Sequence, residues 1–415
     1  MPRELRHLTT LERARRILRD ALPARLREGR FGGRPVPIAE AAGLTLDEDI
    51  SSPADLPPFD RAIMDGYAVR AEDTFGASEG LPAYLKIIGE VRMGEAPTFG
   101  LAHQQTARIP TGGMLPEGAD AVVMVEHTQP WAADTAEILR PVAPGDNIVR
   151  RGDDMRAGDI LLSAGRRLRP HDISAIAGLG LTEVTVRRPQ VAVLSTGSEL
   201  VPHHQSPPPG KVRDMNGPAL CAALRAVGAD PLDLGLVPDD ADALRRALRL
   251  GLDQTDLLLA SGGTSVGAED LIPDIIQSLG TPGILVHGLA VKPGKPVVIG
   301  LIGEVPVFGL PGHPTSCLVI FRELVAPIIC AATGFPEPRG RAVRARLSRN
   351  YPSQAGREEF LPVRLEERAG EWHAIPLLGP SALISKLVRA DGIARVPADA
   401  EGLYVGDLVD VEPLT

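Results

Sequence analysis

The sequence predicts a multidomain protein that combines α/β parts with β-rich parts. The chain has 415 residues, which is too many for one ordinary hydrophobic core. Apolar strands alternate with helical patterns in residues 189–336, whereas short apolar runs separated by turns fill much of the chain on either side. The 44 glycines and 39 prolines are spread along the chain rather than gathered in one linker, so they indicate sharp turns between short elements.

The amino-terminal half predicts a split α/β domain that carries a β-rich insertion. Thr10 is a candidate N-cap for one amphipathic helix, LERARRILRDALPARL. Residues 46–150 alternate short apolar runs with turns and are expected to form the inserted domain. Residues 165–180 again predict a helix that leads to a strand, so residues 1–45 and 151–188 are expected to form the domain around the insertion.

The carboxyl-terminal half predicts a parallel sheet and then a closing β domain. Strand–loop–helix units follow one another after Pro189, and their near-continuous apolar strands predict a parallel sheet covered by helices over residues 189–336. The apolar run from Val297 to Leu310 is interrupted by glycine, glutamate and proline, so it predicts two strands and a turn rather than a membrane span. Residues 337–415 return to short strands and predict a small β domain.

Charge and cysteine content limit the classes of function. The net charge of −9 argues against nucleic-acid binding, which requires a basic surface. The amino terminus has no apolar signal segment, and the three cysteines (Cys221, Cys317 and Cys330) form no CxxC pair. We therefore expect a cytoplasmic protein with buried thiols that binds neither nucleic acid nor membrane.

Three glycine-containing loops follow predicted strands of the α/β domain. They are Ser195–Glu199, Ser261–Gly267 and Gly309–Ser316. Ligands of open α/β sheets bind outside the carboxyl ends of the strands, where glycines let backbone N–H groups approach a phosphate. One such loop can serve a tight turn alone, but three loops from separate strands predict an anion-binding site.

Two lysines stand out because the chain otherwise uses arginine for positive charge. The protein has 44 lysines and arginines together, of which five are lysines. Lys292 and Lys295, in the segment VKPGKP, are the only lysines or arginines between Arg249 and Arg322. A lysine ammonium is a compact point charge that suits a small oxyanion, whereas the alternative is a solvated turn.

Carboxylates occur in or beside the same loops. A phosphate ester that is to be cleaved usually needs Mg²⁺, which prefers carboxylate oxygens. Glu199 and Asp270 lie beside the glycine loops and are the stronger candidates. Asp239, with the adjacent aspartate, has the alternative role of capping a helix, and Asp214 has the alternative role of bracing a turn.

Other motifs leave two interpretations open. Asp65, in PPFDRAIMDGYAV, is a candidate site residue, or it bonds to its own backbone in a turn. Arg150–Asp154 is an anion clamp or a solvated charge run. The pair His203 and His204 has no third ligand nearby, which favours an exposed loop over a zinc site.

Several segments, taken in order along nearly the whole chain, resemble the MoeA family, to which the carboxyl-terminal domain of gephyrin is related. The strings are PPFDRAIMDGYAV, IPTGGMLPEGADAVV, RRGDDMRAGDILLSAGRRL, STGSEL, RDMNG, ASGGTSVGAED, VKPGKP and GLPGHPTS. The resemblance implies a molybdopterin-binding three-layer α/β/α domain, a split α/β domain with an inserted β domain, and a β-barrel-like carboxyl-terminal domain. It also implies an elongated homodimer whose active sites lie between subunits.

The resemblance implies a molybdopterin molybdenumtransferase. Such an enzyme binds adenylylated molybdopterin and molybdate, releases AMP with the help of Mg²⁺, and places molybdenum on the dithiolene sulfurs. Its partners are a molybdopterin adenylyltransferase and the enzymes that receive the cofactor.

Carried over position by position, the family's functional residues fall into four groups. The catalytic acids are Asp65, Asp154, Glu199, Asp239 and Asp270, and the metal ligands among them are Glu199 and Asp270. The molybdate-binding residues are Lys292, Lys295, Pro296, Ser316, Arg357 and Ser381. The pterin- and phosphate-binding residues are Thr111, Thr196, Gly197, Asp214, Asn216, Gly262, Gly263, Ser265, Pro311, Gly312 and Pro314.

The sequence also departs from the common family pattern. Ser198 replaces an aspartate, Gly288 stands where some members have a basic residue, and His313 replaces an asparagine. These changes bear on metal geometry and on the choice between molybdate and tungstate. The alternatives to an insertase are a non-catalytic molybdopterin-binding paralogue, an interaction scaffold and, more distantly, a dinucleotide-dependent oxidoreductase.

Overall fold

The computed structural model describes residues 8–27, 33–262, 271–337 and 340–414. Contacts divide the chain into two compact units. The larger unit comprises Met1–Glu48, Gly165–Pro170 and Glu183–Thr415, and the smaller comprises Asp49–Ala164 and His171–Thr182. The four-domain division expected from the sequence is finer than these two units and stays a prediction.

The amino-terminal helix begins as predicted but ends early. Helix α1 (Leu11–Ala21) has Thr10 as its N-cap, whose hydroxyl accepts a hydrogen bond from the Arg13 amide at 3.3 Å. The sequence predicted one helix through LPARL, and that was wrong, because α2 (Ala24–Arg27) is separate. Pro23 explains the break: the residue before a proline is disfavoured in the helical conformation, and proline itself has no N–H to donate. Strand β1 (Arg34–Pro37) follows.

The smaller unit is built mostly of strands, as the sequence predicts. Six of them form a sheet in the order β7-β4-β6-β5-β9-β8. Both faces of this sheet are covered, because Tyr67 and Val69 pack into one buried cluster while Ala68 packs into another. The unit also holds most of helix α3 (Pro170–Gly178). Its strands are β2 (Ile50–Ser51), β3 (Arg61–Ala62), β4 (Gly66–Val69), β5 (Ala83–Glu90), β6 (Gln105–Ile109), β7 (Ala121–Met124), β8 (Thr128–Ala132), β9 (Thr135–Ile138), β10 (Ile148–Val149) and β11 (Ile160–Leu162).

In the larger unit, β12 (Glu183–Val186) pairs with β1, and a six-stranded sheet follows in the order β16-β13-β17-β21-β20-β18. The elements of this part are β13 (Gln190–Thr196), β14 (Leu200–Val201), β15 (Val212–Arg213), α4 (Asn216–Ala226), β16 (Asp230–Val237), α5 (Ala241–Gln254), β17 (Leu257–Ser261), α6 (Leu271–Leu279), β18 (Pro282–His287), β19 (Val291–Lys292), β20 (Val298–Ile302), β21 (Val305–Leu310), α7 (Pro314–Ile320) and α8 (Ala326–Thr333). A π-helical segment, Phe321–Val325, joins α7 to α8.

The prediction of a parallel sheet is correct for four strands only. Strands β16, β13, β17 and β21 are parallel, whereas β20 and β18 pair antiparallel to their neighbours. Strand β20 ends at Ile302 and β21 begins at Val305, and a connection this short forms a hairpin rather than a crossover. The two strands predicted within the apolar run from Val297 to Leu310 are these two, so that prediction is confirmed.

Helices cover both faces of this sheet. Alternate residues of β13 point to opposite sides: Val191 and Val193 pack into a buried cluster with residues of α4 and α7, while Ala192 and Leu194 pack into another with residues of α5 and α6. The predicted three-layer α/β/α arrangement is therefore confirmed. Pro314–Thr333 is long and apolar enough to cross a membrane, but 78% of its most apolar 18-residue window is buried inside the protein, which is typical of a core helix.

The carboxyl-terminal region forms a closed five-stranded barrel. The order is β24-β25-β22-β28-β26, and β26 pairs again with β24. The short strand β19 pairs in parallel register with the first residues of β24, which sets Lys292 opposite Glu359. The elements are β22 (Val343–Leu347), β23 (Tyr351–Pro352), β24 (Glu358–Arg368), β25 (Glu371–Pro376), α9 (Ser385–Val388), β26 (Gly392–Val396), β27 (Gly402–Leu403) and β28 (Leu408–Pro413).

Candidate active site

A cavity of about 860 Å³ lies in the larger unit. One part of its wall is made by the loops that follow β13, β16, β17 and β21, at the carboxyl ends of the parallel strands. The rest comes from the VKPGKP segment and from the barrel region. The crevice predicted outside the strand ends is therefore present, and the barrel region closes one side of it.

Most of the sequence-predicted site residues meet around this cavity. They are Thr196, Gly197, Glu199, Asp214, Asn216, Asp239, Gly262, Lys292, Lys295, Pro296, Pro311, Gly312, Pro314, Ser316, Arg357 and Ser381. Asp65, Thr111 and Asp154 belong instead to the smaller unit. Gly263, Ser265 and Asp270 lie outside the described residues. The chemical roles assigned to all these residues stay predictions.

The glycine loops are tight because backbone segments approach each other closely. Gly262 has φ +99°, and a Cβ built there would lie 2.0 Å from the carbonyl oxygen of Thr196. Any larger residue would push the ends of β13 and β17 apart. A Cβ at Gly197 would lie 2.8 Å from a carboxylate oxygen of Glu199. These glycines thus permit the tight turns that line the cavity.

Asp214 and Asn216 link three of the loops. The Asp214 carboxylate accepts hydrogen bonds from the Ser195 hydroxyl at 3.1 Å and from the Asn216 amide at 3.0 Å, so it braces the turn at the start of α4. The Asn216 side-chain amide donates to the Ser261 hydroxyl at 2.6 Å and to the Gly312 carbonyl at 2.8 Å. Asn216 is buried, and its side-chain oxygen has no hydrogen-bond partner among the described residues.

Two adjacent aspartates have different tasks. Asp240 caps α5, because its carboxylate accepts the Ala243 amide at 2.8 Å. Asp239 lines the cavity, and its carboxylate accepts the Thr196 hydroxyl at 2.5 Å and the Ser198 amide at 2.6 Å. The capping interpretation is therefore right for Asp240 and wrong for Asp239, which joins the end of β13 to the end of β16.

Lys292 is paired with a carboxylate that the sequence analysis missed. Its ammonium lies 2.8 Å from Glu359, which is buried at 3% exposure. Glu359 also accepts hydrogen bonds from the Ser353 hydroxyl at 2.6 Å and from the Tyr351 hydroxyl. Burial, together with the bond to Glu359, raises the pKa of Tyr351 well above its usual value, so Tyr351 stays a hydrogen-bond donor. Lys292 is thus held in place, but its charge is largely balanced.

The cavity has further residues that the sequence analysis did not assign to the site. Among them are Arg213, Tyr351, Glu359 and Lys386. The scarcity of lysine in this chain marks Lys386 in the same way as Lys292 and Lys295. Glu359 carries no such local signal, because its position opposite Lys292 depends on pairing between distant strands.

Two of the departures from the family pattern have a visible structural setting. The His313 ring lies 3.0 Å from the Ser381 hydroxyl, and both residues line the cavity. Gly288 has φ +87°, a conformation that a basic residue would adopt only with strain.

In the smaller unit, Asp65 bonds to Thr111 rather than to its own backbone. One oxygen of Asp65 accepts the Thr111 amide at 2.6 Å and the Thr111 hydroxyl at 2.9 Å. These two bonds hold the pKa of Asp65 below its usual value, and the bond from the Thr111 amide has the larger effect. The structure therefore joins two predicted site residues. The glycine in the same motif is required, since a Cβ at Gly66 would lie 1.9 Å from the Val123 carbonyl oxygen.

Exposure and bonding describe the remaining motifs, and both interpretations of Arg150–Asp154 stay predictions. In Arg150–Asp154, Asp153 accepts the Arg150 amide at 2.7 Å, and Asp154 has an exposed side chain. His203 and His204 lie in an exposed loop, as expected. All three cysteines are buried and free, which confirms the prediction of core thiols.

Comparison with known proteins agrees with this architecture. Family models described as the MoeA N-terminal region (domain I and II), a probable molybdopterin binding domain, and the MoeA C-terminal region (domain IV) match residues 9–180, 192–331 and 344–414. A structure described as molybdopterin biosynthesis moea protein from Pyrococcus horikosii has a TM-score of 0.77 and 39% identity, and the match covers 99% of this chain and 100% of that chain.

Curated relatives give the same assignment. Molybdopterin molybdenumtransferase 2 of Mycobacterium tuberculosis (strain ATCC 25618 / H37Rv) is 34% identical over 92% of this chain and 95% of its own length. Molybdopterin molybdenumtransferase of Bacillus subtilis is 33% identical over 88% of this chain and 86% of its own length. With three family models in order and relatives above 30% identity along most of its length, this chain belongs to the MoeA family, curated members of which are named molybdopterin molybdenumtransferases.

Proposed function

We propose that this protein is a molybdopterin molybdenumtransferase, which takes adenylylated molybdopterin and molybdate as substrates, releases AMP and yields molybdenum cofactor. The observation that carries the proposal is the single cavity in which glycine loops, carboxylates and lysines meet. Each of these groups suits one part of the substrates: the phosphates, a divalent cation and the oxyanion.

The cavity offers groups that fit a pterin nucleotide. Asn216 presents a buried side-chain oxygen that has no partner among the described residues, and an N–H donor of a pterin would satisfy it. The helical stretch Pro314–Thr333 begins at the cavity, and its amino-terminal end attracts phosphate. The start of α4 is less suitable, because Asp214 already accepts the amides of Asn216 and Gly217.

The cavity also offers oxygen donors for a divalent cation. Glu199 is exposed to the cavity, and no described residue donates a hydrogen bond to its carboxylate. Asp239 is held in place by Thr196 and Ser198, with lone pairs left for a metal. Mg²⁺ bound by these two residues would neutralise charge at the pyrophosphate as AMP leaves. Asp270, which the resemblance pairs with Glu199 as a metal ligand, lies outside the described residues.

The oxyanion is proposed to bind where the VKPGKP segment faces the barrel region. Lys292, Lys295, Arg357, Ser316 and Ser381 all line this cavity. Lysine and arginine attract the dianion, and the serine hydroxyls donate hydrogen bonds that orient it. The protein thereby brings molybdate to the dithiolene of the bound pterin without itself forming a covalent bond.

We also propose that the protein acts in the cytoplasm as a homodimer, downstream of a molybdopterin adenylyltransferase and upstream of the enzymes that receive the cofactor. A chain with several small domains gains enclosure for a large ligand from a second copy. Light scattering should give twice the monomer mass at micromolar concentrations, and a monomer throughout would overturn this part.

The central experiment combines purified protein, adenylylated molybdopterin, molybdate and Mg²⁺. We expect AMP release that requires the divalent cation, and metal-loaded cofactor that activates a cofactor-free molybdenum enzyme. Binding of the pterin without any AMP release would instead identify a non-catalytic paralogue. Equimolar molybdate and tungstate, followed by elemental analysis of the product, determines which oxyanion is preferred.

A further inference from the structure

Lys386 is a half-buried lysine in the wall of the same cavity. It is one of only five lysines in the chain, and it belongs to α9, which follows the segment Leu377–Ser381 along the wall. The His313 ring contacts Ser381 at 3.0 Å, and the Thr315 hydroxyl contacts the Leu383 carbonyl at 3.5 Å. The barrel side of the wall is thus fastened to the start of α7, and Lys386 has a defined position.

The local backbone makes room for this side chain. A Cβ at Gly379 would lie 3.5 Å from Cδ of Lys386, and the Gly379 carbonyl accepts a hydrogen bond from the Lys386 ammonium. Gly379 has φ +133°, which disfavours any larger residue. The stem of Lys386 therefore lies along the loop, and its ammonium is directed by a backbone oxygen rather than by an acid.

The charge of Lys386 is not balanced in the way that the charge of Lys292 is. Lys292 is paired with Glu359 at 2.8 Å, whereas no described carboxylate lies within 4 Å of the Lys386 ammonium. Burial lowers the pKa of Lys386, Glu359 raises it, and the neighbouring charge of Lys292 lowers it again. Glu359 thus has two lysines near it but balances only one of them.

An ammonium group has three N–H donors, and within the described part of the chain Lys386 uses one of them. Burial and the charge of Lys292 together outweigh the attraction of Glu359 at the Lys386 ammonium, so an anion that binds beside this ammonium would stabilise its charge. Lys292, Lys386 and Glu359 together carry a net charge of +1, to which Lys295 and Arg357 of the same cavity wall add, and a small oxyanion would use both the charge and the spare donors.

We propose that Lys386 is a third oxyanion-binding lysine and that it supplies positive charge that no described carboxylate pairs with on the barrel side of the cavity. The inference rests on the proposed function, since it takes the oxyanion of that reaction as the ligand. Lys386 donates to an oxygen of the bound dianion, while Lys292, fixed by Glu359, orients it.

The test is direct binding of molybdate, tungstate and sulfate to the purified protein, measured by equilibrium dialysis with elemental analysis. The variants are Lys386→Met and Lys386→Arg, with Lys86→Met as the matched control. Lys86 is an exposed lysine of the smaller unit, so its removal changes the net charge equally without touching the cavity. Lys386→Gln replaces the methionine variant if circular dichroism shows that the latter is misfolded.

We expect Lys386→Met to weaken molybdate binding by about tenfold to a hundredfold, which corresponds to the loss of one charge-assisted hydrogen bond. Lys386→Arg should bind within about threefold of the unmodified protein, and so should Lys86→Met. Unchanged binding in Lys386→Met, or an equal loss in the control variant, would overturn the inference. Equal weakening for sulfate would leave Lys386 a general anion ligand and overturn its assignment to the metal oxyanion.

A pH series adds a second readout. Because the pKa of Lys386 is lowered, its charge is lost earlier than that of an ordinary lysine as the pH rises, and molybdate binding should weaken accordingly. The part of the pH dependence that comes from the titration of Lys386 should be absent in Lys386→Arg, since arginine keeps its charge. If the unmodified protein and the arginine variant show the same pH profile, Lys386 is not the titrating ligand. The other charged or titratable groups on this side of the cavity, common to both proteins, are Glu359, Tyr351, Lys292, Lys295, Arg357 and His313.

Failure of this inference and failure of the proposed function are distinguishable. If the protein releases AMP and inserts molybdenum but Lys386→Met binds molybdate normally, only the inference fails. If oxyanion binding depends on Lys386 but no AMP is released from the adenylylated pterin, only the proposed function fails.

Discussion

Replacement of Glu359 by glutamine should change stability and oxyanion affinity in opposite directions. Glu359 is buried at 3% exposure and accepts bonds from Ser353, Tyr351 and Lys292. The amide has nearly the same shape but no charge. It retains one acceptor oxygen, and its NH₂ group can donate to the Ser353 hydroxyl.

The stability cost follows from the bonds that lose their charge. Hydrogen bonds to a charged group contribute about 1.5–3 kcal/mol each and neutral ones about 1 kcal/mol, so each bond weakens by about 0.5–2 kcal/mol. The two bonds from Tyr351 and Ser353 together should lose about 1–4 kcal/mol, and the exposed Lys292 adds little. The loss should appear as a fall of a few degrees in the unfolding temperature. Glu359→Ala should lose more, because it leaves the hydroxyls of Tyr351 and Ser353 without their acceptor.

The gain in oxyanion affinity follows from removing the repulsion between the Glu359 carboxylate and the bound oxyanion. Lys292 lies 2.8 Å from Glu359, so an oxyanion oxygen on the far side of Lys292 would be about 5.6 Å (twice 2.8 Å) from the carboxylate. At an effective dielectric constant of about 40, intermediate between a surface pair and water, the repulsion is about 1.5 kcal/mol for each negative charge of the dianion. Once it is released from Glu359, the Lys292 side chain must be ordered when the oxyanion binds, which costs up to about 1.5 kcal/mol. This cost offsets about half of the repulsion that is removed for the two charges of the dianion, so the net gain is about tenfold in affinity.

The measurement is molybdate binding by equilibrium dialysis, paired with thermal unfolding of the same preparation. Glu358→Gln is the matched control, because Glu358 is the adjacent acid of β24 but pairs with Arg395 at 3.2 Å instead of with Lys292. Weaker molybdate binding in Glu359→Gln, with the fold intact, would show that ordering of Lys292 outweighs charge. That result would refute the electrostatic reasoning.

Three other predictions concern single side chains. Asp239→Ala should slow AMP release. Asp240→Ala should leave the release rate unchanged and should cost about 1 kcal/mol of stability, because it removes a helix cap. Equal release rates in both variants would contradict the division of roles. Burial raises the pKa of Cys317 to about 12, so it should resist alkylation at pH 8 until the protein unfolds, and rapid labelling of the native protein, located by mass spectrometry, would contradict this. Glu323→Gln should lower the free energy of unfolding by about 2–4 kcal/mol, measured with denaturant, because Glu323 is buried and paired with Arg395 at 2.9 Å. A loss under 1 kcal/mol would show that the pair contributes little.

Much of the architecture could be predicted because it depends on local patterns. The alternation of apolar strands and helices identified the three-layer domain, and short apolar runs with turns identified the β-rich unit. The glycine loops were placed at the strand ends for the same reason. The parallel sheet was only partly right, since a strand's apolar run does not reveal the direction of its neighbour, and the hairpin between β20 and β21 reverses it.

The candidate site was predicted less completely, because the missed roles depend on contacts between distant parts of the chain. Glu359 has no unusual sequence context, and it belongs to the site only because β19 pairs with β24. Asp239 and Asp240 are adjacent identical residues, and their roles differ because only one of them faces the end of β13. Lys386 could have been suspected from the scarcity of lysine, but its half-buried position beside Lys292 could not.

The sequence by itself determined the family, the sequence of strand and helix patterns, and the residue types available for binding phosphate, metal and oxyanion, because these depend on spacing along the chain. Only the tertiary structure decided which charges neutralise each other and which remain for a ligand. Lys292 and Glu359 are far apart in sequence, and their pairing follows from the register of β19 with β24. A hydrogen bond or ion pair acts only at contact distance, so the balance of charge in the cavity is set by long-range packing and not by any local motif.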